Sequence, residues 1–368
     1  MKNTLNAFFA SRGGIVAVGA VIGALAAWLV SMGNPPNMGI CVACFERDIA
    51  GALGLHRADV VQYLRPEIPA FVLGSLAAAL VFGEFRARAG STPLLRFFLG
   101  MFAAIGALVF LGCPWRSILR LAGGDGNAIV GIAGLATGIS VGALFLKNGF
   151  TLGRARPALK PAGWLMPALM LGLLALAVAQ PAFIFASSKG PGSMHAPLLI
   201  SLGAGLLVGF LAQRSRFCTM GSIRDAVLLR DFHLISGVIA MAVAAFAVNW
   251  LLGQFKPGFA MQPIAHSNHL WNFLGMVLAG LSFALAGGCP GRQLILTGEG
   301  DTDAGVFVLG MLVGAAVAHN FALAAAADKL TDAVLQVGGP GFNGQVAVLV
   351  GLVFCLILGF SMREKFDA

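Results

Sequence analysis

The chain carries ten apolar stretches of 16 to 25 residues, at 14–32, 68–83, 97–112, 128–146, 162–186, 197–212, 234–253, 270–288, 304–327 and 344–362. A bilayer core about 30 Å thick is crossed by a helix of roughly 17–25 apolar residues. Lipid offers no water to backbone N–H and C=O groups, so only helices or closed barrels span it, and stretches this long form helices. The expected fold class is therefore all-α: a polytopic membrane protein of about ten transmembrane helices, with residues 1–368 forming one membrane domain. Composition agrees, since only 11% of residues are charged, against about a quarter in a soluble domain. Lys2 and Arg12 ahead of the first stretch suggest a secretory signal, but no small-x-small cleavage site follows Ser31. That stretch is expected to stay as a helix.

The net charge of +9 raises the question of nucleic acid. The basic residues form no long run and no patch interleaved with aromatics, so no nucleic-acid partner is expected. They lie in short loops, where positive charge reports orientation. Ten crossings put both termini on one side. Sixteen Lys and Arg fall on that side and eight on the other, which places both termini in the cytoplasm.

Aligned without a gap, 112–142 matches 288–318 at 11 of 31 positions, where chance at this composition gives roughly three. The identities include Gly112-Cys113-Pro114 with Gly288-Cys289-Pro290, Arg116 with Arg292, and Gly124-Asp125 with Gly300-Asp301. Upstream, Phe98–Met101 recurs as Phe273–Met276, Cys41 pairs with Cys218, and Arg47-Asp48 with Arg224-Asp225. The chain thus reads as repeat 1 (14–147), a linker helix (162–186), repeat 2 (196–327) and a final helix (344–362). Five crossings separate the repeats, so the second runs inverted relative to the first. Inverted repeats with broken helices hold their solute site near the midplane, which favours a transporter over an enzyme.

Four segments are too polar or too short to span: 37–55, 113–122, 216–230 and 289–297. In Gly-Cys-Pro-x-Arg, proline suits the first turn of a helix and forces the preceding residue out of helical geometry. Cys113 and Cys289 should therefore sit near helix N-caps, where free N–H groups and the dipole favour an anion. Arg116 and Arg292, within a turn, would reinforce that field. By the charge bias, Cys41, Cys44 and Cys113 enter from the periplasm and Cys218 and Cys289 from the cytoplasm, giving an hourglass path lined by sulfur. Neither Cys113 nor Cys289 should be deeply occluded, because broken helices must line protein or water. Cys355, alone in the last stretch, reads as a small buried hydrophobe.

Glu46, Arg47 and Asp48, like Arg224 and Asp225, are expected to pair with one another and snorkel to the interface. The six histidines show no metal-ligand spacing. No nucleotide loop, zinc motif or hydrolase elbow is present, so neither a cofactor nor ATP coupling within this chain is expected.

At these residues the chain resembles the YeeE/YedE family of bacterial inner-membrane proteins. Met38–Asp48 and Val61–Glu67 resemble its YedE-type selenium-transporter branch, and the two Gly-Cys-Pro blocks are shared more widely. The resemblance implies an inverted-repeat hourglass with short helices dipping toward the centre. In thiosulfate-uptake members, cysteines pass the anion by transient S–H···S contacts, roles that fall by motif on Cys41, Cys113 and Cys289. Cys44 and the Arg-Asp segment depart from the thiosulfate pattern.

The expected function is inner-membrane transport of a small selenium- or sulfur-containing solute along a path of Cys41, Cys44, Cys113, Cys218, Cys289, Arg116 and Arg292. Membrane lipid surrounds the chain, and a small cytoplasmic sulfur-carrier protein is an allowed partner. Soft thiols suit a sulfane sulfur or selenium atom better than a hard oxyanion. Thiosulfate uptake is the alternative within transport. A membrane thiol oxidoreductase, prompted by Cys41-x-x-Cys44, or a sulfur-transferring enzyme is the alternative from another class.

Overall fold

The structure is a computed structural model that describes residues 2–364. Its helices are α1 (Lys2–Ala10), α2 (Arg12–Ser31), α3 (Val42–Ala52), α4 (Glu67–Phe82), α5 (Pro93–Phe110), α6 (Pro114–Ala122), α7 (Asn127–Lys147) and α8 (Lys160–Ala179). They continue as α9 (Leu198–Ser215), α10 (Thr219–Leu229), α11 (His233–Leu251), α12 (His269–Ala286), α13 (Pro290–Gly298), α14 (Thr302–Asn320) and α15 (Phe342–Ser361). All ten expected spans fall on helices, and the four non-spanning segments become α3, α6, α10 and α13. Among the described residues, nine helical stretches are long and apolar enough to cross a membrane; α4, at 16 residues, is shorter.

Two expected spans end early. The linker span to 186 stops at Ala179, because Gln180 turns left-handed (φ 41°) and Pro181 cannot continue a helix. The span to 327 stops at Asn320, where Ala322 adopts φ 54°. Hydropathy alone does not see such stops.

The connecting loops sort into two sets by their hydrogen bonds. In one, Arg86 N–H donates to the Glu299 carbonyl (2.9 Å), Ala158 N–H to Ala87 (3.0 Å) and Thr151 N–H to Met362 (3.1 Å). In the other, Gly126 N–H donates to Gly258 (2.8 Å) and Asp328 N–H to Ala265 (2.9 Å), while the Asn320 side chain reaches Leu55 (2.9 Å). The sets are the two that ten crossings predict, and the first holds the arginine-rich loops.

Packing between the halves is reciprocal. Helix α5 lies along α14 and α12 along α7; α2 lies along α11 and α9 along α4. The glycines responsible carry the symmetry to single residues. Gly134 abuts the Phe273 carbonyl and Gly310 that of Phe97; Gly138 abuts Val277 and Gly314 abuts Met101. Each contact maps onto its counterpart by a shift of 176 residues, the offset of the Gly-Cys-Pro blocks. A methyl group at any of the four glycines would collide with backbone, so small residues here set the close approach. The Phe98–Met101 match to Phe273–Met276 needs a shift of 175 and lies one residue out of this register. The loops clasp in the same way: Arg88 N–H donates to the Gly300 carbonyl (3.2 Å) and Gly258 N–H to Gly124 (3.0 Å).

Candidate functional site

Each of the four short helices begins on a cysteine. Cys41, Cys113, Cys218 and Cys289 are the N-caps of α3, α6, α10 and α13, all with extended backbone. For Cys113 and Cys289 the cause is the following proline at N1, as its chemistry requires. At Cys41 and Cys218 there is no proline, and the sulfur itself caps. Cys41 Sγ accepts from Cys44 N–H (3.4 Å) and Cys218 Sγ from Gly221 N–H (3.2 Å). Sequence reasoning missed these caps because cysteine is not among the preferred N-cap residues. Its only signal was the matched spacing within the duplication.

The cysteines meet in pairs. Cys41 Sγ lies 3.6 Å from Cys113 Sγ, and Cys218 Sγ lies 3.8 Å from Cys289 Sγ, each within reach of a weak S–H···S hydrogen bond. All six cysteines are free thiols and all are buried. The expectation that Cys113 and Cys289 avoid deep occlusion is therefore corrected: both are 0% exposed. Aromatic side chains close over the short helices. Trp115, two residues after Cys113, packs against Phe71 (5.9 Å between rings) and Phe217 (5.6 Å), the residue before Cys218. Cys355 is remote from both pairs in its partners and contacts Ser282 Oγ (3.4 Å).

Cys44 adjoins the Cys41–Cys113 pair, its N–H donating to Cys41 Sγ. Its sulfur accepts from Arg116 Nη1 (3.5 Å). Arg116 is fully buried and is held by carbonyls: Leu111, Asn37 (3.3 Å), Pro263 (3.4 Å) and Ile264 (3.0 Å). Arg292 pairs with Glu299 (3.4 Å). Both guanidiniums thus sit within a turn of the expected cysteines, and both already have acceptors. Glu299 also receives Arg88 (3.3 Å) and Arg216 (3.5 Å). Gly123 stands at its place in the first half, so this ionic knot marks only the arginine-rich face.

The pairing expected of Glu46, Arg47 and Asp48 holds in part. Arg47 and Arg65 both bind the Asp48 carboxylate, at 2.6 and 2.8 Å. All three are buried rather than snorkelling, with Arg65 stacked over Phe45 (4.5 Å) and Tyr63 (5.1 Å). Glu46 is buried without a hydrogen-bond partner on either oxygen, and the adjacent Arg47 guanidinium donates to Asp48 instead. Arg224–Asp225 pairs as expected (2.8 Å) and is partly exposed.

Among the described residues, no three His, Cys, Asp or Glu side chains gather as metal ligands. His56 and His319 lie ring to ring at 4.6 Å, and His266 lies 2.7 Å from the Val109 carbonyl through Nε2. What the geometry offers a solute is two pairs of free cysteines at four helix N-termini, in a core closed by aromatics.

Residues 214–367, which include Cys218, Cys289 and Arg292, match a family model described as sulphur transport. Thiosulfate transporter TsuA of Escherichia coli (strain K12) is 27% identical over 131 residues, 34% of this chain and 36% of that relative. Thiosulfate transporter TsuA of Spirochaeta thermophila is 34% identical over 104 residues, 27% of this chain and 31% of that relative. The matched region spans about a third of the length of each curated relative. The family-model match takes in the second Gly-Cys-Pro block and agrees with the family resemblance.

Proposed function

We propose that this chain, a relative of the sulphur-transport proteins of the YeeE/YedE family, carries thiosulfate or its selenium analogue selenosulfate across the bacterial inner membrane. The observation that carries the reading is the meeting of four N-cap cysteines in two S···S pairs of 3.6 and 3.8 Å. The names of the two relatives support the sulfur anion as solute, and the reciprocal glycine contacts support two inverted repeats around one path.

The mechanism follows from what thiols can do. An anion entering the Cys41–Cys113 pair replaces one weak S–H···S contact with S–H···S and S–H···O contacts of its own. Its negative charge faces the N-termini of α3 and α6, where first-turn N–H groups that have no intrahelical acceptor concentrate positive potential. The second pair repeats the arrangement at α10 and α13. Transport needs stations that bind weakly enough to release, and thiols, as weak donors and weak acceptors, meet that need. Arg116 and Arg292 act as positioning residues: the first holds the 263–264 loop and Cys44, the second pairs with Glu299, the C-cap of its own helix α13, which Arg88 and Arg216 also hold.

The Met38–Asp48 and Val61–Glu67 segments that resemble the selenium branch supply the buried Arg47–Asp48–Arg65 cluster. That cluster is scaffolding around the path, so it leaves the choice between sulfur and selenium to the thiols, which suit either. The test is uptake of radiolabelled thiosulfate into proteoliposomes. Saturable uptake, competed by selenosulfate and not by sulfate, is expected. Uptake no greater than in protein-free liposomes would overturn the proposal.

A further inference from the structure

Trp115 breaks the symmetry of the duplication at its centre. The equivalent residue of the second half is Gly291, and the two touch. A Cβ built on Gly291 would lie 2.7 Å from Trp115 Cζ2, 2.9 Å from Cε2 and 3.3 Å from Nε1. The nitrogen edge of the indole therefore lies against the backbone two residues beyond Cys289. Its other neighbours are Phe71 and Phe217, the latter adjoining Cys218. Trp115 thus reaches from the Cys41–Cys113 pair, to which it is tied through Cys113, to the backbone that carries the Cys218–Cys289 pair.

Trp115 is 1% exposed, and its Nε1–H has no hydrogen-bond partner. A buried indole usually finds an acceptor for this proton, and leaving a buried donor unpaired carries a desolvation cost. Such a group at the junction of two thiol pairs calls for an acceptor that is present only part of the time. Indole is a donor and never an acceptor, so that visitor must bring oxygen or sulfur lone pairs.

We infer that Trp115 forms a third station between the two thiol pairs, its indole N–H donating to the thiosulfate anion in passage. Its ring separates the pairs when no anion is present. The inference rests on the proposed transport function and adds a residue that neither the cysteines nor their helix N-termini supply. Gly291 is part of the same device, because only a residue without Cβ lets the indole lie across the α13 backbone.

The test compares wild-type chain, Trp115→Phe and Gly291→Ala in thiosulfate-loaded uptake assays, with the indole N–H band of ultraviolet resonance Raman as a second readout. Phenylalanine keeps the aromatic packing and removes only the donor. Loss of one hydrogen bond to a charged group should lower kcat/KM for thiosulfate about ten-fold or more, with unchanged thermal unfolding. The wild-type N–H band should shift on adding thiosulfate, and Trp115→Phe should abolish that shift. Gly291→Ala, which displaces the ring, should reproduce the uptake loss if Trp115→Phe does not fold. Uptake by Trp115→Phe within two-fold of wild type would overturn the inference and leave the transport function standing. So would an N–H band that ignores thiosulfate, since the ring would then be packing alone. Absence of uptake by wild type would remove the function and this inference together.

Discussion

Cys41 and Cys113 stand 3.6 Å apart, sulfur to sulfur, although 72 residues separate them in the chain. Each caps a short helix, and the same relation recurs between Cys218 and Cys289 at 3.8 Å. A packing role for small hydrophobic cysteines does not require sulfur to meet sulfur twice at equivalent places. Helix caps alone would be better served by Ser, Thr or Asp. The common requirement is a soft group at a helix N-terminus, which is what a sulfane-sulfur anion would need.

Substitution separates these roles. Cys113→Ala and Cys289→Ala should insert and fold, with stability losses of about 1 kcal/mol, typical of a small core truncation. Their thiosulfate uptake should fall at least ten-fold. Cys355→Ala should transport as wild type, because its sulfur contacts only Ser282 Oγ among polar side chains. Normal uptake by both of the first two variants, at normal expression, would sink the sulfur path.

The Asp48 carboxylate holds two buried guanidiniums, Arg47 at 2.6 Å and Arg65 at 2.8 Å. Removing one partner of a buried ion cluster costs about 3–5 kcal/mol, because the remaining charges lose compensation. Asp48→Ala should therefore lower the thermal midpoint in detergent sharply, and more than Asp225→Ala does. Asp225 pairs with Arg224 near the surface, where side-chain exposure is 16% and 33%. Equal shifts for the two variants would show that burial does not set the cost.

Glu84, in the loop after α4, carries a stability term that depends on pH. Burial alone would raise its carboxyl, but the Gln213 amide (2.8 Å), Arg214 (3.0 Å) and Arg216 (3.2 Å) outweigh it and hold the group below its ordinary value. A carboxylate depressed in the folded state stabilises above its unfolded value and loses that contribution as pH falls through the folded one. Wild-type chain should thus lose stability below about pH 4.5, the ordinary carboxyl range. Glu84→Gln should flatten that part of a thermal-midpoint profile. An unaltered profile would mean the three partners do not act on this carboxylate.

The helices were legible because lipid permits little else: every apolar stretch became one, and the polar gaps became short helices. The Gly-Cys-Pro caps were legible because proline dictates the residue before it. The caps at Cys41 and Cys218 were not, since nothing local marks a sulfur as an acceptor for the N–H three residues on. Nor was the isolation of Glu46: the adjacent Arg47 donates to Asp48 instead, which Arg65 also reaches from 17 residues away. The closure over Cys113 was illegible for a similar reason. Phe71, Trp115 and Phe217 are far apart in sequence, and single aromatic residues in apolar helices carry no signal of which will meet.

Orientation is the last property on which the mechanism depends, and the loops give it a test that the buried cysteines do not. Residues 53–66 join α3 to α4, and residues 230–232 join α10 to α11, the equivalent connection of the second half. If the halves are inverted, these two connections lie on opposite faces, and the positive-inside bias puts the first outside. Asp59 and Asp231 are both exposed, so each can be replaced by a reporter thiol without disturbing the core. In a chain whose native cysteines are changed to alanine, an impermeant maleimide added to spheroplasts should label Asp59→Cys and spare Asp231→Cys. Inside-out vesicles should reverse the order. Labelling of both from one face would refute the inversion. Opposite faces in the contrary sense would keep the inversion and reverse the direction in which each thiol pair meets the solute.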